Sequence, residues 1–218
     1  MSSRSDSNQI TRDYFDSILL ETRYWDSDLP STKMELYGET FETPIMTAAL
    51  SHLHEICDNA MAEFGKGAKD AGAVHWVGMG EDDELEQILA TGARTVKIIK
   101  PHREDEVIYH KIRHAAEHGA FAVGMDIDHC FAGNGEYDVV CGLPMHAKTA
   151  SDLENYVKAS SVPFIVKGVL SAKDAEKCVK AGVSGILVSH HHGIMQYAVP
   201  PLMILPEIVK AVDGQIPV

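Results

Sequence analysis

The stretch "PFIVKGVLSAKDAEKCVKAGVSGILVSHHHG", residues 163–193, decides the fold. It opens on an apolar run that holds a single lysine, Lys167. A helical segment follows, then a second apolar run that ends in three adjacent histidines. Ser171 stands where an N-cap belongs, Asp174 follows at the third helical position, and Gly182 offers the left-handed residue that stops a helix. The unit therefore reads strand, helix, strand. Both strands are continuously apolar, the pattern of parallel strands covered on both faces.

Working outward, the same unit recurs. Strand-like runs fall at residues 43–50, 73–79, 94–100, 121–128, 163–170 and 184–190. Helix candidates lie between and after them, at 54–71, 82–90, 104–118, 150–159, 172–181 and 200–212. Repeated β-then-α units allow a doubly wound sheet or a (β/α)₈ barrel. No G-x-G-x-x-G follows the first strand, which weakens the dinucleotide-binding sheet. Asp126, Asp128, Lys167 and residues 189–192 gather at the C-terminal ends of strands, the active face of a barrel. The expectation is a single TIM-barrel domain over residues 1–218. It would cover about six β/α units, with the remaining strands beyond "DGQIPV".

Composition narrows the partners. The chain has 218 residues, 45% of them hydrophobic, enough for a sizeable core. Its net charge of -13 argues against a nucleic-acid partner, since phosphate contacts need a basic surface. No apolar run approaches the roughly 20 residues that span a bilayer. Cys57, Cys130, Cys141 and Cys178 form no CxxC pair and read as free thiols of a cytoplasmic protein. The polar opening "MSSRSDSN" is expected to fray.

Lys167 is either a strand-end lysine reaching solvent or a fixed cation beside an electron-accepting ring or anionic intermediate. The histidines allow three readings: a solvated loop, a metal site or a general base. Strand alternation would put His190 and His192 on one side and His191 on the other. A metal site would enlist His190, His192, His129 and Asp128.

The lysine strand, its helix and "SHHHG" resemble the lysine strand, helix and "SNHGG" strand of the FMN-dependent α-hydroxy acid oxidase/dehydrogenase family, which includes glycolate and lactate oxidases. "DYFDSILLETRYWDSDLPSTKMELYGETFETPIMTAA" resembles that family's entry into the first barrel strand, "FAVGMDID" its "TVD" strand, and "LPEIVKAVDGQIPV" the helix before the next strand. The resemblance implies an FMN cofactor, a small-molecule 2-hydroxy acid or related alcohol as substrate, and a homo-oligomer. By position, Lys167 would stabilise reduced flavin, His191 would be the catalytic base and Asp126 would orient it. Thr47, Ala48 and Ala49 would offer backbone groups to the ring, Ser189 and Gly193 would shape the loop beside it, and Lys97 or, with a one-residue gap, Val96 would stand for the family's flavin-contacting glutamine.

The departures concern the substrate. Ile194 occupies the place of the arginine that grips the substrate carboxylate, and the second arginine has no counterpart in "HCFAGNGEYD". The phosphate cradle would lie past Val218. An apolar pocket is implied, with Trp76, Met125, Met195 and Tyr197 as candidate walls. An FMN-dependent isomerase, a His/Asp metal-dependent hydrolase or lyase, and a ligand-binding barrel without turnover remain alternatives.

Overall fold

A computed structural model of the protein describes residues 5–218, so the first four residues of the polar opening lie outside it. The expected fraying does not hold from Asp6 onward. Asp6 caps helix α1 (Ser7–Asp16), and Ser7 is buried because its hydroxyl bonds the Met195 carbonyl and accepts the Ala198 N–H. A hairpin of β1 (Met34–Leu36) and β2 (Glu39–Phe41) follows, and a short 3₁₀ turn at Leu53–Glu55 leads into α2 (Ala60–Asp70). Then β3 (His75–Val77), α3 (Asp82–Ala90), β4 (Thr95–Ile99), α4 (Asp105–Glu117) and β5 (Ala122–Asp126) alternate. A small hairpin, β6 (Val139–Val140) and β7 (Leu143–Pro144), interrupts the rhythm. It resumes with α5 (Ala150–Ala159), β8 (Phe164–Val169), α6 (Ala172–Lys180), β9 (Gly185–Val188) and α7 (Pro201–Val212).

Sheet order decides between the two architectures. The five parallel strands stand in the order β3-β4-β5-β8-β9, each beside its predecessor. A doubly wound sheet reverses its order partway; this one never does. One face packs on the helices through Val77, Ile99, Val123, Met125, Val166 and Ile186 against Ile88, Ile112, Tyr156 and Ile208. The other face carries Val74, Trp76, Val96, Ile98, Ala122 and Ile165, closed by Phe41 of the hairpin. The hairpin is pinned by Tyr37, whose hydroxyl donates to the Ser184 carbonyl at 2.9 Å. The arrangement is a half-barrel.

The first strand-like run, 43–50, makes only one bridge, Leu50 with Val77. Pro44 has no N–H to give, and the Trp76 N–H goes to the Thr47 hydroxyl at 2.8 Å instead of to a backbone carbonyl. A side chain has taken a ladder position. The helices keep their expected places within one residue, except that 54–71 splits into the 3₁₀ turn and α2. Ser171 caps α6 by accepting from Asp174 N, and Thr149 forms a capping box with Asp152 at α5.

Two histidines are buried where protonation would be costly. His75 is fully buried, and Phe64 meets its ring edge-on at 5.2 Å. Burial pushes its pKa down to about 4, and burial followed by Lys111, Lys148 and Lys100 does the same to His102. The unfolded chain binds these protons near pH 6.5 and the folded chain does not, so their stabilisation is complete above pH 6.5 and lost as pH falls toward 4. We expect urea unfolding to show a loss of a few kcal/mol between pH 7 and pH 4.5, at about 1.4 kcal/mol per pH unit per histidine. A flat profile there would mean that the folded state carries these rings charged.

Candidate active site

The site begins with register. Asp126, the last residue of β5, pairs directly with Lys167 in β8, and Ile99 pairs with Met125, so Lys100 arrives beside Asp126 on the other flank. The Asp126 carboxylate takes both ammonium groups, Lys100 at 2.7 Å and Lys167 at 2.6 Å, with all three residues buried. Burial alone would raise the Asp126 carboxyl, but Lys100, Lys167 and His191 together hold it below its usual range. Two cations share this anion, and Asp128 brings a second carboxylate to the same strand ends.

His191 joins from the loop after β9. Ser189 Oγ accepts its backbone N–H at 2.9 Å, and His191, His192 and Gly193 all adopt left-handed backbone, at φ 48°, 56° and 77°. Such a turn ends the strand alternation, so His191 and His192 both line the same cavity and His190 turns away. His190 is committed elsewhere: Nε2 meets Thr11 Oγ1 at 2.8 Å and Nδ1 accepts the Gly193 N–H at 2.9 Å. The expected pairing of His190 with His192 is therefore overturned. The metal set of His190, His192, His129 and Asp128 is not assembled, because both nitrogens of His190 are occupied.

The carboxylate at His191 is Asp128, with Nδ1 to Oδ1 at 2.9 Å, while Asp126 stands 3.7 Å away and serves the lysines. Lys167 Nζ also approaches Nδ1, at 3.3 Å, but an ammonium donates only, and its shorter bond goes to Asp126. His191 Nδ1 therefore carries the hydrogen and donates it to Asp128, which leaves Nε2 as the basic nitrogen. His129 meets the His191 ring edge-on at 5.0 Å.

Asp128 has room because the next strand bulges. The register of β8 with β9 shifts between Lys167 and Val169, and Gly168 at φ +91° passes against the carboxylate. A Cβ there would lie 2.4 Å from Asp128 Cγ. Glycine is required twice over, for the conformation and for the space.

Beside this cluster lies a cavity of about 620 Å³ with Met46, Trp76, Leu187 and Val188 as apolar walls. Residues 47–51, Lys167, Ser189, His191 and His192 line it too. The expected set Thr47, Ala48, Ala49, Lys167, Ser189 and His191 thus meets around one space. Gly193 does not line it, since its backbone faces Asn8. Lys97 is on the wrong side of the sheet. It alternates with Val96 and Ile98, so it faces the helices and donates to the Gly78 carbonyl at 2.7 Å. Burial, then Lys111, lowers its pKa to about 8. The lysine that reaches Asp126 is Lys100, just past β4, which had no role among the expected site residues. Met125 belongs to the helix-side core, and Met195 and Tyr197 are 68% and 71% exposed, so none of the three walls the cavity. Trp76 does.

A flat heteroaromatic ring fits this space. Its volume lies in the range of cofactor sites, an indole lines it, and an ammonium stands where a ring edge would carry negative charge. The profile of FMN-dependent dehydrogenases matches residues 2–155 and 143–218. L-lactate oxidase of Lactobacillus jensenii is 26% identical over 88% of this chain and 54% of its own length. 4-Hydroxymandelate oxidase of Amycolatopsis orientalis is 23% identical over 84% and 61%. The chain thus spans little more than half the length of these two relatives. A mandelate oxidase crystallised with 3,3-difluoro-2-hydroxy-3-phenylpropionic acid superposes with a TM-score of 0.87 at 23% identity, over 99% of this chain and 69% of that one. The chain belongs to the FMN-dependent dehydrogenase family, and its half-barrel is part of that family's TIM barrel.

Two substitutions test the cluster. Asp126→Asn leaves two buried lysines on a neutral amide and is expected to cost roughly 3–5 kcal/mol at pH 7 by urea unfolding. Since the Asp126 pKa is depressed, this gap holds above pH 4 and closes as acid protonates the natural carboxyl. Gly168→Ala is expected to displace Asp128 and with it His191, visible as a shifted His191 ring resonance with the overall circular dichroism retained.

Proposed function

We propose that the chain carries the reaction centre of an FMN-dependent oxidase or dehydrogenase that converts 2-hydroxy acids, or related alcohols, to the carbonyl compound. The observation that carries this reading is the contact of His191 with both Asp128 and Lys167 at the edge of the apolar cavity. The names of the relatives, lactate and hydroxymandelate oxidases, support the substrate class.

In this reading His191 Nε2 takes the proton of the substrate hydroxyl as the carbonyl forms. Asp128 keeps the ring in the tautomer that leaves Nε2 basic, and it stabilises the imidazolium once the proton has arrived. When bound, FMN would supply the acceptor for the two electrons and the hydrogen that leave the substrate carbon as its C–H bond breaks. Thr47, Ala48 and Ala49 would hold the ring through the backbone, and Trp76, Leu187 and Val188 would exclude water from it. Lys167, fixed by Asp126, would face the ring's electron-rich edge. Lys100 would balance the second oxygen of Asp126, so that Lys167 is not fully neutralised by its partner.

Ile194 stands where the family's carboxylate-binding arginine is expected and is 43% exposed. This supports a substrate with a larger apolar part or a carboxylate held by other cations. The proposal extends to a homo-oligomer, supported by the exposed apolar side chains Leu19, Leu20, Trp25 and Leu29, and to a cytoplasmic location, supported by four free cysteines.

The test is reconstitution of the protein with FMN, followed by anaerobic mixing with a panel of 2-hydroxy acids. Bleaching of the flavin by at least one acid is expected, slowed about 10²–10³-fold in Lys167→Met and about 10²–10⁴-fold in His191→Ala. A protein that takes up no FMN, or one whose bleaching is indifferent to His191, overturns the reading.

A further inference from the structure

Away from the mouth, α4 carries His110, His114 and, at its C-cap, His118, spaced one turn apart. The rings of His114 and His118 stack at 4.2 Å between centroids, and His110 follows at 6.0 Å. Facing them on α3 are Asp82 and Glu86. Glu86 Oε1 lies 3.0 Å from His114 Nε2 and 3.6 Å from His118 Nε2, and the three ligand atoms fall within 4.8 Å of one another.

Proton accounting makes this patch unusual. His118 Nδ1 is 2.8 Å from the His114 carbonyl, an acceptor only, so Nδ1 carries the hydrogen. In the neutral ring Nε2 then turns a lone pair toward a carboxylate oxygen. That contact is repulsive unless a cation enters it. His114 Nε2 bonds the Glu86 carboxylate directly, and an ion taken there moves the ring hydrogen to the other nitrogen. That nitrogen, Nδ1, is buried, makes no hydrogen bond and stands 3.8 Å from Oδ1 of Asp82, whose carboxylate also holds Lys111 at 3.9 Å and, through Oδ2, His110 Nε2 at 2.6 Å. A carboxylate behind one ring nitrogen and a carbonyl behind the other are the partners that orient imidazoles toward a metal.

We infer that Glu86 Oε1, His114 Nε2 and His118 Nε2 form a binding site for a divalent first-row transition ion, which joins α3 to α4 on the outside of the barrel. Two imidazoles and a carboxylate suit Zn²⁺, with water completing four-coordination on this exposed face. The site shares no residue with the reaction centre, and its occupancy stabilises the fold by mass action.

The alternative cation is a proton, which would make the patch an ordinary ion pair. Calorimetric titration of the tag-free protein with ZnCl₂ at pH 7.5 separates the two. We expect one equivalent to bind, with affinity falling about tenfold or more in His118→Gln, His114→Gln and Glu86→Gln. Zn²⁺ is also expected to raise the Tm of the natural chain and not that of His118→Gln. Two other groups, His52 with His54 and Glu55, and Asp126 with Asp128 and His191, could take an ion. Binding should therefore persist in His52→Gln and in Asp128→Asn. Absence of binding, binding indifferent to His114 and His118, or binding lost in His52→Gln or Asp128→Asn overturns the site. Circular dichroism confirms that each variant is folded, and Glu86→Gln leaves both histidines intact as an independent arm.

Discussion

One buried carboxylate between two ammonium groups organises this molecule. Asp126 links the ends of three neighbouring strands through Lys100 and Lys167, both at hydrogen-bonding distance. Charges taken from water repay that cost only when their geometry is good and their remaining hydrogens find partners. Here one carboxylate satisfies two lysines, and a second, Asp128, is turned to His191, so the cluster is cohesive and holds its cations in fixed positions. A cation held in place before it is needed is what electrostatic stabilisation requires, so the cost of burial and the usefulness of the mouth share one source.

Around this cluster the parts divide between rigid and irregular backbone. Asp126 and Lys167 are strand residues fixed by ladder pairing, and Lys100 follows β4 directly. His191 and Asp128 sit beyond strand ends, on backbone that neither helix nor strand dictates. The bulge at Gly168 and the left-handed run from His191 to Gly193 bring them together. Left-handed conformation at two non-glycine residues costs on the order of 1–2 kcal/mol each. Hydrogen bonds from Ser189, Asp128 and α1 hold the turn in place. The strain lies where precise aim matters.

Much of this was legible in the sequence, for identifiable reasons. Caps at Ser171, the stop at Gly182 and continuously apolar runs reflect local physics, and the helices followed. Lys167 and the histidine loop stood out because charge inside an apolar run is rare. Lys97 misled for a related reason: two lysines three residues apart, one in β4 and one just past it, face opposite sides of the sheet, and nothing local says which side meets the mouth. The faces of Val96 and Ile98 settle that, and they depend on the packing of Phe41 and Trp76 against them. Asp128 was read as a metal ligand, not as the histidine's partner, because its place depends on a bulge in a neighbouring strand. His190 was misassigned because alternation ends where backbone turns left-handed.

The first helix has a consequence for how the chain comes to fold. Ser5, Ser7, Asn8 and Thr11 bond to Tyr197, Met195, His192 and His190, some 180 to 190 positions away. Segments this far apart meet only after the strands and helices between them have closed the distance. The imidazole loop and its brace can settle only once the intervening part of the half-barrel exists. Until then α1 is without its dock, and it is the stretch that a chaperone or protease would meet uncovered.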